Sequence, residues 1–280
     1  MHATVWGCRG SIASPGAETV RYGGNTPCIE VRPEDGPLIV LDAGTGIRRL
    51  GVACEREGVR EVHLLLTHLH LDHVEGLGFF VPLWSGEVDL HVWGPGSPVA
   101  NLASRIARYL SPPLFPVELK DAPGTITFHD APGQEWEIGS VRLRAQPIVH
   151  PGPTIGYRLK ENGRSLAYLT DHEPALVGEL GSRPPDWISG FSLAEGVDIL
   201  LHDAQFTERE YESKIGWGHS SVAHAVEFAR LSQAGRLVLF HHDPAHSDAD
   251  LDRLGERARE LWGDGQVAPE VAFEGMHLQL

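Results

Sequence analysis

The chain has 280 residues, 41% of them hydrophobic, and a formal net charge of −15 at pH 7. It can bury a sizeable core, but its acidity argues against long DNA or RNA as a partner, because nucleic-acid-binding surfaces are basic. No apolar run approaches the ~20 residues of a membrane span and the start lacks a signal-peptide pattern, so we expect a soluble, cytoplasmic protein with no membrane partner. The cysteines, Cys8, Cys28 and Cys54, form no CxxC pair and indicate neither a disulfide framework nor a cysteine zinc site.

Residues 3–32 predict two short strands around glycine-rich turns, at residues 7–11 and 23–26. Glycine permits tight turns and a close approach of the backbone to another group. The segment is therefore either a hairpin with long connections or a loop that faces a ligand. In the second case Arg9 and Asn25 are the candidates for substrate contact.

Residues 38–41 predict a buried strand that ends at Asp42, and an amphipathic helix follows over residues 47–57. An Asp after a strand commonly caps the next helix. It can equally accept a hydrogen bond from a metal-binding histidine, since such ligands often donate to a carboxylate. The sequence leaves both roles open for Asp42.

The densest group of metal-binding side chains lies in residues 67–73, directly after the apolar run of residues 62–66. That run predicts a buried strand. Side chains alternate in an extended segment, so His68 and His70 point to the same side, while Asp72 and His73 follow at the turn. One ion cannot easily take four ligands packed so tightly, whereas two ions about 3.5–4 Å apart can. The motif predicts a dinuclear metal site, against the alternative of a loop rich in histidine by chance.

The rest of the chain predicts helices at residues 74–84, 98–110, 222–231 and 248–262, antiparallel strands within residues 125–170, and a last strand at residues 271–278. Apolar strands end in Asp or His at six places: Asp42, His68, His150, Asp171, Asp203 and His241. Ligands in layered α/β folds lie at the carboxyl ends of strands, so we expect these side chains to share one edge. No linker or repeat is visible, which predicts a single domain over residues 1–280.

The order of these residues resembles the metallo-β-lactamase superfamily over nearly the whole chain. The resemblance implies an α/β fold, a four-layer αββα sandwich in which two mixed sheets face each other and the metals lie at one edge. It implies two ligand sets that share a carboxylate: His68, His70 and His150 for one ion, Asp72, His73 and His241 for the other, and Asp171 bridging both. His242 is the alternative to His241, because the strand could end one residue later.

Two segments narrow the resemblance to phosphodiesterases. Residues 202–206 resemble the His-Glu-Ala-Thr segment of tRNA 3′-processing endonucleases, with Asp203 in place of Glu, and residues 218–221 resemble their Gly-His-Ser-Thr segment. In those enzymes the acid–histidine pair handles the leaving-group proton, which makes Asp203 and His219 the catalytic candidates here. Classical zinc β-lactamases have a cysteine where Asp171 stands. No insertion resembles the glycine-rich arm with which the endonucleases grip tRNA.

These features predict a metal-dependent hydrolase, and more narrowly a phosphodiesterase for a small anionic substrate such as a cyclic nucleotide or cyclic phosphate. Asp72 would orient the attacking water or accept its proton, and His219, positioned by Asp203, would protonate the leaving alkoxide. Two divalent ions are implied. Zinc suits the histidine-rich donor set, and the carboxylates would also accept manganese or iron. A homodimer is consistent with the general frequency of dimers.

Three other functions compete with this one. A thioesterase of the glyoxalase-II kind would use similar ligands, although a thiolate leaving group hardly needs the proton that His219 would supply. A flavodiiron-like redox protein would carry a flavin domain, and none is visible. A non-catalytic metal-binding protein of the same fold would not be expected to keep the complete set of seven ligands.

Overall fold

A computed structural model describes residues 1–176, 178–263 and 267–280. In this part of the chain the strands form two sheets of seven strands each. The first sheet runs, from edge to edge, through β14 (His277–Gln279), β1 (His2–Gly7), β2 (Cys28–Arg32), β3 (Leu38–Leu41), β4 (Glu61–Leu65), β5 (Asp89–Gly94) and β6 (Thr125–Asp130). Neighbours pair antiparallel from β14 to β3 and parallel from β3 to β6, so the sheet is mixed.

The second sheet repeats this plan. It runs through β13 (Glu270–Val271), β12 (Leu237–Phe240), β11 (Ile199–Asp203), β10 (Arg164–Leu169), β9 (Ile155–Glu161), β8 (Val141–Pro147) and β7 (Trp136–Ile138). Neighbours pair antiparallel from β7 to β10 and parallel from β10 to β13. The parallel strands are short and apolar, as expected for strands that are covered on both faces.

Helices cover the outer faces. The α-helices are α1 (Ile47–Glu57), α2 (Leu71–Val74), α3 (Leu102–Ala107), α4 (Phe191–Ala194), α5 (Glu208–Tyr211), α6 (Val222–Leu231) and α7 (Asp248–Trp262). Short 3-10 helices lie at Ala17–Thr19, Leu77–Phe79, Val81–Trp84, Leu119–Asp121, Leu180–Ser182 and Pro185–Trp187. None of the helices in the described residues is both long and apolar enough to cross a bilayer.

Three apolar cores separate the layers. The central core lies between the sheets and contains inward side chains such as Leu41, Tyr168 and Phe240. A second core joins the first sheet to α1 and α3, and a third joins the second sheet to α6 and α7. Side chains alternate along each strand, so neighbouring residues enter different cores. In β3, Leu41 points into the central core, while Val40 points into the core between the first sheet and its helices. The predicted four-layer αββα sandwich is confirmed.

Three predicted elements differ from the structure. Residues 74–84 form no continuous helix, because α2 ends before Gly76 and Gly78, and Pro82 opens a separate 3-10 turn. The helix expected over residues 98–110 is confined to α3, which Asn101 caps by accepting a hydrogen bond from the Ser104 amide. The last predicted strand divides into β13 and β14, which belong to different sheets, with a turn at Gly275 between them.

Candidate dinuclear metal centre

Three histidines and Asp171 form the first candidate ligand group, and their ligand atoms all lie within 4.8 Å of one another. His68 and His70 follow β4, and His150 follows β8. His150 Nε2 lies 3.2 Å from His70 Nδ1, and the Nε2 atoms of His68 and His150 lie 3.7 and 3.8 Å from Asp171 Oδ2. The fold therefore brings together the set that the resemblance implies for one ion.

The second group contains Asp72, His73, His241 and again Asp171, also within 4.8 Å of one another. Asp72 and His73 lie in α2, and His241 directly follows β12. His73 Nε2 and His241 Nε2 each lie 3.1 Å from Asp171 Oδ1 and 3.3 Å from Asp72 Oδ2. These atoms converge on one point next to the first group.

Asp171 stands between the two groups and turns a different oxygen to each. Its Oδ2 atom faces His68 and His150, while its Oδ1 atom faces His73 and His241. This is the geometry that a carboxylate needs to bridge two cations. The backbone at Asp171 and His241 is left-handed, with φ of 52° and 63°, a conformation that is rare outside glycine and occurs preferentially at functional sites.

Asp42 is the hydrogen-bond partner of a candidate ligand and does not cap a helix. The N-cap of α1 is Gly46, with no side-chain cap. Asp42 Oδ2 lies 2.8 Å from His73 Nδ1 and accepts the Tyr168 hydroxyl at 3.0 Å, while Oδ1 accepts the Thr67 amide at 2.8 Å. Binding of Nδ1 by a carboxylate fixes the imidazole so that Nε2 faces the cluster.

The cluster fits a pair of cations. His68 Nε2 is buried and lacks a hydrogen-bond partner among the described residues, although buried polar atoms are normally satisfied. Burial opposes ionisation of Asp171, but His241, His73 and His68 hold the pKa of this carboxyl well below its ordinary value. The donor set as a whole comprises imidazoles and carboxylates, which bind zinc and similar ions.

Of the two adjacent histidines after β12, the structure places His241 in the cluster. A Cβ at Gly10 would lie 2.5 Å from His241 Nδ1, so glycine at this position lets the N-terminal loop close over the ring. His242 points away, and its Nε2 lies 2.9 Å from the Ala272 carbonyl oxygen. Burial lowers the pKa of His242 to about 3, which keeps its ring neutral.

His219 and Asp203 form a pair at the side of the ligand cluster. His219 Nδ1 lies 2.7 Å from Asp203 Oδ2, and the ring centroid is 5.0 Å from that of His241 and 5.2 Å from that of His150. The Ser220 amide donates to Asp203 Oδ1 at 2.8 Å and holds the carboxylate in place. Burial disfavours a charge on His219, but the attraction of Asp203 prevails and raises its pKa to about 9.

The loop that carries His219 is fixed to a candidate ligand. The Gly218 carbonyl accepts a hydrogen bond from His150 Nδ1 at 3.0 Å. Gly218 has a φ of 91°, and a Cβ there would lie 2.1 Å from the same nitrogen, so this position requires glycine. The buried carboxylate of Glu173 accepts the amides of Gly216 and Gly218 at 2.8 and 2.7 Å. Sequence reasoning missed Glu173, because nothing in the sequence distinguishes it from other acidic residues.

The structure corrects one of the two expected substrate contacts, that of Arg9. The Arg9 side chain is fully buried, and it donates to the carbonyl oxygens of Gly23, Asp243 and His246. Its guanidinium therefore ties loops together and cannot reach a substrate. The Asn25 side chain is half-buried and its amide nitrogen donates to Glu274 Oε1 at 2.9 Å, and contact with a substrate stays a prediction for this residue.

Ser11 is a site residue that sequence reasoning missed. Its backbone amide donates to Asp72 Oδ2 at 2.8 Å, and its hydroxyl accepts from Gln205 Nε2 at 3.1 Å. The signal was present in the glycine-rich run of residues 7–11, which faces the site through Ser11 and Gly10. The left-handed φ of 62° at Ser11 aims the amide.

A family profile described as a beta-lactamase superfamily domain matches residues 38–242, most of the chain. The chain belongs to the metallo-β-lactamase superfamily. Within this superfamily, ribonuclease Z of Haloarcula marismortui is 27% identical over 317 aligned residues, which cover 99% of this chain and 96% of that protein.

Two solved metallo-β-lactamase-fold structures show the same architecture. A diphosphatase from the PhnP family superposes with a TM-score of 0.68 at 19% identity and covers 100% of this chain and 97% of its own. The short form of human tRNase Z superposes with a TM-score of 0.67 at 21% identity and covers 100% and 99%. Membership in this superfamily supports a hydrolase that uses divalent metal ions, and the histidine–carboxylate cluster is compatible with them.

Proposed function

We propose that this protein is a dinuclear phosphodiesterase that hydrolyses a small cyclic nucleotide or cyclic phosphate. The observation that carries the proposal is the His219–Asp203 pair, whose ring lies 5.0 Å from His241 at the edge of the ligand cluster. An alkoxide leaving group needs a proton, and a positioned imidazolium supplies it. The proposed ligands are His68, His70 and His150 for one ion, Asp72, His73 and His241 for the other, and Asp171 between them.

Two side chains of the protein, Asp72 and His219, would carry out the two proton transfers of the proposed reaction. When bound, two divalent ions supply Lewis acidity and a water that is activated near neutral pH. Asp72, whose Oδ2 atom accepts a hydrogen bond from the Ser11 amide, would orient the attacking water or accept its proton. His219 holds a proton on Nε2, since its Nδ1 is engaged by Asp203, and it releases that proton to the leaving oxygen.

RNA is the second candidate substrate. The favouring observation is the 27% identity to ribonuclease Z of Haloarcula marismortui over nearly the full length of both proteins. Against it stands the net charge of −15, since RNA binding depends on neutralising phosphates with basic side chains. The same two-metal chemistry serves both substrates, so substrate size is the property to test.

The test is hydrolysis by protein reconstituted with zinc or manganese. The substrates are bis(p-nitrophenyl) phosphate, a nucleoside 2′,3′-cyclic phosphate, a precursor tRNA and a lactoyl thioester. We expect turnover of the first two, lost in Asp72→Ala and kept in His2→Gln, which changes an exposed imidazole far along the sheet. Cleavage of the tRNA alone would replace the small substrate with RNA, and turnover of the thioester alone would favour a thioesterase. No hydrolysis of any substrate by protein with two ions per chain would favour a non-catalytic metal-binding protein.

The proposed acid is tested by varying the leaving group. His219→Gln should slow hydrolysis of the cyclic nucleotide by about 10²–10⁴-fold, the usual contribution of general acid catalysis. Hydrolysis of bis(p-nitrophenyl) phosphate should change little, because p-nitrophenolate leaves without a proton. Equal loss on both substrates would contradict the role of His219 as the acid.

A further inference from the structure

A cavity of about 670 Å³ opens beside the first ligand group. His68 and His70 form part of its wall, and the loop at residues 151–153 that follows His150 forms another part. The remaining wall comes from residues 97–100, from α3 and from the segment around Leu114. The cavity is thus continuous with the candidate metal centre, on the side that carries His68 and His70.

The cavity wall is largely apolar. Leu71, Val99 and Leu114 line it with exposed fractions of 59%, 91% and 70%. Large apolar side chains that are exposed together commonly mark a binding surface. The Tyr109 hydroxyl donates to the Glu75 carbonyl, which fixes the ring that this residue contributes to the wall.

The charged groups of the cavity are arginines. Arg105 and Arg108 line it, and none of the described lining residues is a carboxylate. Arg108 is exposed and forms no ion pair with another residue in the described ranges. Arg105 donates to the Pro95 carbonyl, and its Nε atom is buried without a partner among the residues that the structure describes. In a chain with a net charge of −15, this is a local excess of unpaired donors.

We propose that this cavity binds the nucleobase of the substrate, with Arg108 contacting the base. The inference rests on the proposed phosphodiesterase function and names its substrate class as nucleotides rather than cyclic sugar phosphates. Cavities for small organic ligands measure about 300–1,000 Å³ and combine apolar walls with few polar groups. With the phosphate at the metal centre, a sugar alone would leave this volume unfilled. A planar base can enter it, pack on Tyr109 and Leu114, and offer acceptors to a guanidinium that can also stack on its face.

The experiment compares two substrates that share the reacting bond. One is guanosine 2′,3′-cyclic phosphate, and the other is methyl ribofuranoside 2′,3′-cyclic phosphate, which lacks the base. We expect the metal-loaded protein to prefer the nucleotide by about tenfold or more in kcat/KM, in line with the value of stacking one base. Arg108→Ala and Leu114→Glu should reduce this preference mainly through KM and leave the baseless substrate unchanged. Arg56→Ala, an exposed arginine of α1 without an ion pair in the described part of the chain, is the matched control.

The outcomes separate the two proposals. If the protein hydrolyses neither cyclic phosphate, the proposed function fails. If it hydrolyses both with equal kcat/KM, the proposed function stands and the base-binding role of the cavity is overturned. Equal losses on both substrates in Arg108→Ala would also overturn that role, because they would show an effect on the reacting centre.

Discussion

Two clusters of histidines adjoin the strands of the first sheet, and they differ in what their ring nitrogens contact. Glu61, His63 and His91 place their potential ligand atoms within 4.8 Å of one another, as the residues of the proposed metal centre do. We call this first set the sheet cluster. Its rings stack across β4 and β5, with the His63 and His91 centroids 4.5 Å apart.

In the sheet cluster, both ring nitrogens of His63 and the Nδ1 atom of His91 are occupied by hydrogen bonds within the protein. The Trp93 indole donates to His63 Nδ1 at 3.1 Å, and an indole nitrogen can only donate. His63 therefore carries its proton on Nε2 and donates it to Glu61 Oε1 at 2.9 Å. His91 Nδ1 and His129 Nε2 pair at 3.0 Å. An ion on His63 Nε2 would move the proton to Nδ1 and break the indole hydrogen bond.

The histidines of the proposed metal centre use their ring nitrogens differently. Two of these histidines have the outward nitrogen engaged, His73 Nδ1 with Asp42 and His150 Nδ1 with Gly218, and the Nε2 atom of each points to the common centre. Burial alone would lower the pKa of His73, yet Asp171, Asp72 and Asp42 raise it well above its ordinary value, which shows how strongly these carboxylates favour positive charge. The partners of the ring nitrogens distinguish the proposed metal centre from the sheet cluster, whereas the density of histidines does not.

The largest expected effect comes from Asp171→Asn. The substitution removes the negative charge shared by both ligand groups while keeping the shape of the side chain. We expect metal content to fall from two ions per chain to one or none, and phosphodiesterase activity to fall by a factor on the order of 10³. Elemental analysis of the dialysed protein and the rate with bis(p-nitrophenyl) phosphate measure the two effects. Asp89→Asn, at the exposed start of β5, is the control, and retention of both ions in Asp171→Asn would refute the bridging role.

Asp42→Asn should have the next largest effect. It changes the hydrogen-bond partner of His73 Nδ1 and replaces none of the proposed ligands. An amide presents a donor where His73 Nδ1 needs an acceptor, so the ring loses its orientation. We expect metal affinity or activity to fall by about 10–100-fold, the usual cost of losing such a partner. Competition with a zinc chelator measures the affinity. Tyr168→Phe, which removes only the hydroxyl that donates to Asp42, should have a smaller effect, and the reverse order would contradict the assignment of Asp42.

His219 is the intermediate case: its Nδ1 atom is bound to Asp203, and its Nε2 atom is the one that would protonate the leaving group in the proposed reaction. As an acid it must be protonated, so kcat for a cyclic nucleotide should be level below its raised pKa and decline as pH rises through about 9. Asp203→Asn removes the attraction that raises the pKa, and the decline should shift toward the ordinary histidine value of about 6.5. A pH–rate profile of both proteins tests this. A basic limb at the same pH in both would show that another group titrates.

Local patterns in the sequence predict the strands and the edge that carries the Asp and His side chains, whereas the four-layer order is implied by the resemblance to the metallo-β-lactamase superfamily. Apolar runs of strand length mark the sheets, and Asp or His at their carboxyl ends marks the edge where the strands of a layered fold present ligands. The roles of Arg9 and Ser11 could not be predicted in this way. The Arg9 guanidinium turns inward because it meets carbonyl oxygens of loops distant in sequence. The Ser11 amide points to Asp72, which is also distant in sequence, and the backbone at Ser11 is left-handed. The division between β13 and β14 likewise depends on pairing with strands far along the chain.

The smallest expected effect is the one in the sheet cluster. His63→Gln and His91→Gln should leave both metal content and phosphodiesterase activity unchanged, because both ring nitrogens of His63 and the Nδ1 atom of His91 already have hydrogen-bond partners within the protein. Each change should lower the free energy of unfolding by about 1 kcal/mol through the lost hydrogen bonds, which corresponds to a fall of about 2–4 °C in Tm for a chain of this size. Metal analysis after gel filtration from excess zinc, together with a thermal melt, measures both quantities. A third zinc ion in the wild type that His63→Gln removes would contradict the comparison, because it would show that a closed hydrogen-bond network does not prevent a histidine–carboxylate cluster from binding metal.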